Sequence, residues 1–177
     1  VEGVYSSALR ESYNVTNNNP EHNYGYAFFD RNPHAARKLA EVSNNLQIPA
    51  QWLADVMYFE TGGTFRPDKK ELGGSGAVGL IQFYPGGGLA QVARDMGVSE
   101  AVASQRLSSM TFVEQMDWVQ AYLSGFYRGD TQFVGRYDRI ERLLAAVFQG
   151  QGTAFGSDIV DLLDIGDGNI TLGRYMQ

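Results

Sequence analysis

With 177 residues, 44% of them hydrophobic, and a net charge of −6, the chain is long enough to bury a core, and its overall charge disfavours nucleic acid as a partner. The absence of cysteine removes disulfides, thiolate nucleophiles and thiolate metal sites, and His22 and His34 lack metal-ligand spacing, so neither metal nor other cofactor is expected. The longest apolar runs, such as Leu143 to Phe148, fall far short of the ~20 residues that cross a bilayer, so no membrane span is expected.

In chain order, residues 1–32 carry Asn17, Asn18, Asn19 and Pro20 and then the aromatics Tyr24, Tyr26, Phe28 and Phe29, without helical periodicity. This predicts an irregular N-terminal arm whose aromatics pack on a main domain over 33–177. Val1 to Arg10 has neither the basic start nor the apolar middle of a signal peptide, so any export signal is expected outside the chain. Pro33 and Pro49 suit first helical turns and predict helices over His34 to Leu46 and Pro49 to Glu60. Between Thr61 and Gly88, glycines interrupt any helix, with short extended pieces expected around Val78 to Phe83. Such a segment is either a surface loop or, at ~25 residues, a functional one.

Ser99 is placed to cap a helix running to about Met110, and Thr111 with Glu114 forms a capping box that opens a longer helix to about Arg128. Phe112, Met116, Val119, Leu123 and Phe126 draw one stripe along it, which predicts a central helix. Ile140, Leu143, Leu144 and Val147 mark another helix, ending near Phe148 at the Gln149–Gly150–Gln151–Gly152 stretch. The fold class expected is mainly α.

Glu60 follows Val56 by four residues and Met57 by three, which continues the buried stripe of its helix, and Thr61–Gly62–Gly63 ends the helix there. A carboxyl at the negative end of a helix, partly withdrawn from water, is favoured in its protonated form, as a general acid requires. The competing reading is a last-turn glutamate that faces solvent. Gln82 offers both donor and acceptor to a polar ligand, and Tyr84, Tyr122, Tyr127 and Tyr137 offer stacking faces, although aromatics at helical spacing also serve as core.

The segment from Glu60 through Thr61, Phe65-x-Pro67 and Gly76-Ala77-x-Gly79-Leu80-Ile81-Gln82 resembles the soluble lytic transglycosylase family of the lysozyme-like superfamily. There, a helix-ending glutamate followed by Ser or Thr precedes a Phe-x-Pro element and a Gly-Ala-x-Gly-Leu-Met-Gln element. Ile81 replaces the methionine, and the intervals are longer than usual. Ala146-Val147-Phe148-Gln149-Gly150 is a degenerate counterpart of the family's Ala-Tyr-Asn-Ala-Gly, with Phe148 and Gln149 for its Tyr and Asn. The resemblance covers roughly residues 33–150.

It implies a lysozyme-like (α+β) domain with a Gly-rich loop or small β-hairpin region after the catalytic helix. It also implies binding of peptidoglycan glycan strands and cleavage of the β-1,4 bond between N-acetylmuramic acid and N-acetylglucosamine. Glu60 would be the catalytic acid, with Gln82, Tyr84, Tyr137, Phe148 and Gln149 toward substrate. The family needs no second carboxylate, because the muramic C6 hydroxyl attacks its own anomeric carbon and leaves 1,6-anhydro ends. The alternatives are a hydrolytic lysozyme using Asp68 or Glu71 to position water, and a catalytically silent glycan-binding or structural module of a phage tail. The expected location is extracytoplasmic, in periplasm or cell wall, or virion-associated, whether as a free enzyme or within a larger phage or cell-wall protein.

Overall fold

A computed structural model describes residues 26–125 and 131–156. Tyr24, the Phe126 end of the long stripe, Tyr127, the expected helix end at Arg128 and residues 157–177 lie outside the described residues. The architecture is mainly helical: α1 (Tyr26–Arg31), α2 (Pro33–Leu46), α3 (Ala50–Glu60), α4 (Gly88–Met96), α5 (Glu100–Ser109), α6 (Phe112–Ser124), α7 (Ile140–Gln149) and α8 (Gln151–Gly156). The chain divides into two compact units between Val134 and Gly135, where sequence drew one domain over 33–177.

Local chemistry sets the helix starts in the first unit. Pro33 opens α2, and Pro49, with extended backbone, is the N-cap of α3. Ser99 caps α5 by accepting from Val102 N. The capping box of α6 closes in both directions, with Thr111 N donating to Glu114 Oε1 at 3.1 Å and Glu114 N donating to Thr111 Oγ1 at 3.2 Å. Gly125, at φ 153°, ends α6 after Ser124.

Helix α2 packs on α1, α3 and α6, and α4 packs on α5 and α6. Leu39, Val42, Leu46, Leu53, Val56, Met57, Met116, Val119 and Leu123 make the core of this unit. Helix α3 is not amphipathic in its first two turns: every residue from Gln51 to Met57 is buried, including the pair in which Gln51 Nε2 donates to Asp55 Oδ1 at 2.7 Å.

One expectation is corrected, and one helix is new. Residues 26–31 are helical rather than irregular, because Phe28 and Phe29 gain from facing one way: Phe28 stacks on Phe65 at 4.5 Å, and Phe29 meets Phe65 and Phe112 edge-on. Helix α4 was not anticipated behind its glycines, but Leu89, Val92 and Ala93 are buried at helical spacing once Gly86 and Gly87 are passed. Between α3 and α4, Val78 forms antiparallel bridges to Lys70 and to Phe83, a rudimentary pairing within an irregular loop.

In the second unit, α7 buries Ile140, Leu143, Leu144, Ala145 and Ala146, and Gly150 at φ 96° turns the chain into α8. Arg142 links the two by donating to Ala154 O at 2.8 Å.

Candidate functional site

Burial along α3 ends at Met57: Tyr58 and Phe59 are more than a third exposed, and Glu60 is half-buried with its Oε1 withdrawn from solvent. The last turn of α3 therefore rises from the core to the surface and carries a carboxylate at its negative end. Gly62 and Gly63, at φ 61° and 82°, then take the chain out of the helix, with Gly63 N donating to Tyr58 O at 2.7 Å.

Thr61 explains why a hydroxyl residue is useful directly after such a glutamate. It is fully buried, its Oγ1 donates to Met57 O at 2.6 Å, and the same oxygen accepts from Phe65 N at 2.9 Å. One side chain thus finishes the helix and folds the following loop back onto it. Phe65 has a left-handed φ of 53° and is held there by the Thr61 bond and by its aromatic neighbours Phe28, Phe29 and Tyr58.

Gln82 is the other non-glycine residue of this loop with positive φ, at 54°. Its Nε2 donates to Lys69 O at 3.0 Å and to Gly79 O at 2.9 Å, so both amide protons are spent on the loop. Gln82 accordingly shapes the loop from within, and only its Oε1 remains to address a ligand. Tyr84 follows, 57% exposed, while its carbonyl accepts from Gly87 N and Leu89 N and thereby starts α4.

The other expected residues divide by burial. Tyr137 is 2% exposed and packs against Phe155 at 5.1 Å; its ring is core of the second unit and offers no open stacking face. Tyr122 is likewise core, edge-on to Phe83, and burial pushes its phenol pKa up. Phe148 is half-buried and Gln149 exposed, at the end of α7 in the second unit. Glu60, Gln82 and Tyr84 belong to the first.

Of the candidate second carboxylates, Asp68 is engaged through both oxygens by Arg66, at 2.9 and 2.8 Å. Those hydrogen bonds hold its carboxyl below the usual carboxylate range. Glu71 is exposed, and its Oε2 accepts from Ser75 N at 2.9 Å. Asp55 is a buried carboxyl that sequence reading passed over, but five residues from Glu60 on a helix is about 140° around the axis, a different face.

The residue missed with most consequence is Gln115. It is fully buried on α6 and joins the loop to two helices. Its position three residues after Phe112 and four before Val119, on the apolar stripe, is the sequence signal that marks it.

Among the described residues no group of three His, Asp or Glu could hold a metal ion, and no helix is long and apolar enough to cross a membrane. Comparison with protein-family models, curated proteins and solved structures finds no match. The functional reading is therefore carried by the residues themselves.

Proposed function

We propose that this chain is a peptidoglycan lytic transglycosylase with a lysozyme-like catalytic centre in which Glu60 is the sole acid and base. The observation that carries the reading is Glu60 itself: a carboxyl at the negative end of a helix, one oxygen withdrawn from water, opening directly into a loop braced by Thr61, Phe65 and Gln82.

In the proposed reaction Glu60 donates its proton to the glycosidic oxygen as the bond from muramic C1 to that oxygen breaks. The C6 hydroxyl of the same sugar bonds to C1, and its proton returns to Glu60. No water enters. The engagement of Asp68 by Arg66 and of Glu71 by Ser75 supports a route without a dedicated water-activating carboxylate. The exposed Tyr84 suits a sugar face. Glycan strands of the wall, reached from the periplasm, the cell surface or a virion, are the partner this implies.

One observation favours hydrolysis as a second reading: where the family that the sequence resembles has a tyrosine, this chain has Phe148, without the hydroxyl.

Mass spectrometry of products from purified peptidoglycan decides. The expected products carry 1,6-anhydromuramic ends, and Glu60→Gln loses ~10²- to 10⁴-fold in rate with an unchanged or slightly raised unfolding midpoint. One added water per cleavage establishes hydrolysis, activity of Glu60→Gln within a few-fold of wild type removes Glu60 from the mechanism, and an inert wild-type protein leaves a glycan-binding or structural module.

A further inference from the structure

Every hydrogen bond of the Gln115 amide leads to a different chain segment. Oε1 accepts from Leu80 N at 2.7 Å, and Nε2 donates to Pro67 O and to Leu107 O, both at 2.9 Å. The fit is close: a Cβ on Gly79, whose φ is 95°, would stand 2.6 Å from Gln115 Oε1. Packing alone would be served by leucine or methionine, without the desolvation of an amide. What the amide adds is a fixed spacing between α5, the Phe65-to-Pro67 stretch and the Gly79-to-Gln82 stretch.

The other end of the Phe65-to-Pro67 stretch is held by Thr61, the residue next to Glu60. The loop is therefore suspended between the helix that ends in Glu60 and an amide on α6. It contains two residues in left-handed backbone, Phe65 and Gln82, conformations that persist where their surroundings fix them.

We infer that Gln115 is a positioning residue for the site: it sets the distance between the loop, with whatever sugar lies along it, and the Glu60 carboxyl. This rests on the glycosidase reading of Glu60. The geometry that the amide fixes affects the chemical step more than affinity, since a misplacement of ~1 Å costs on the order of 10²-fold in rate.

The test compares wild type, Gln115→Met and Gln115→Glu on soluble glycan strands, well below the unfolding midpoint of each, with hydrogen exchange at the Leu80 amide as an independent readout. Gln115→Met should lose about 10²-fold in kcat with KM within about threefold, and Leu80 should exchange faster. Gln115→Glu, buried in its neutral form, keeps an acceptor for Leu80 N and one of the two donors to Pro67 O and Leu107 O, and should recover part of both. A folded Gln115→Met with wild-type kcat overturns the inference alone. Should Gln115→Met fail to fold, a Gln115→Glu protein whose Leu80 amide exchanges faster than in wild type while its kcat stays wild-type does the same, because a loosened loop then leaves the chemical step unchanged. A wild-type protein inert on peptidoglycan overturns the glycosidase reading, and the inference falls with it.

Discussion

Replacing Thr61 by valine keeps the shape of the side chain and removes its oxygen, so the loss can be worked from two bonds. The bond to Met57 O at 2.6 Å is the lesser part, because that carbonyl still accepts from Thr61 N at 3.0 Å; a neutral bond of this kind contributes about 0.5–1.5 kcal/mol. The bond from Phe65 N at 2.9 Å is the greater, because the amide stays buried with its acceptor gone, at about 1–3 kcal/mol. Together, Thr61→Val should destabilise by about 1.5–4.5 kcal/mol. Thr61→Ser keeps both bonds and gives up one buried methyl, at about 1 kcal/mol. Denaturant unfolding of the three proteins, read with wall degradation at low temperature, is the assay. Glycan cleavage should fall in Thr61→Val beyond what its folded fraction explains, since Phe65 is released from φ 53°. Serine and valine variants of equal stability would refute the assignment of Thr61 Oγ1 as the loop's anchor.

Gln82→Ala should lower kcat/KM by about tenfold and also lower the unfolding midpoint, measured by calorimetry, because the two bonds to Lys69 O and Gly79 O brace the loop. A loss of activity with stability untouched would instead mark Gln82 as a direct substrate contact. Asp68→Asn should cleave glycan within about threefold of wild type, because its carboxylate is tied to Arg66 on an exposed loop. The sign of the accompanying pH effect follows from the lowered pKa of Asp68. Its small contribution to stability is present above the usual carboxylate value and is lost as pH falls through the folded-state value, so wild type and Asp68→Asn should converge in unfolding midpoint below about pH 4.

Helices with chemical punctuation were legible in the sequence. Pro33, Pro49, Ser99 and the Thr111–Glu114 box each mark a start that the chain uses, because capping acts within four residues and needs no knowledge of the fold. Helix α4 and the helical turn at 26–31 were not, since each depends on partners elsewhere: Leu89 and Val92 on the surface that buries them, Phe28 and Phe29 on Phe65 and Phe112. The site divides the same way. The end of α3 at Glu60 could be read from Thr61–Gly62–Gly63, whereas the burial of Tyr137 and the inward turn of the Gln82 amide are tertiary facts that residue type leaves open. Gln115 was hidden for a related reason, because a glutamine on an apolar stripe identifies a buried amide without naming carbonyls 8 and 48 residues away.

Helix α3 is enclosed on all sides through Met57 and reaches the surface only in its final turn, which separates two kinds of heritable change. Substitutions at residues 51–57 alter volume in a filled interior and act on whether the chain folds at all. Substitutions at Tyr58 and Phe59 alter the surface next to Glu60 in the chain, and at Tyr58 also the ring contact with Phe65. A lineage carrying this helix can therefore vary the surface beside Glu60 at less risk to the fold than it can vary the interior turns that carry it.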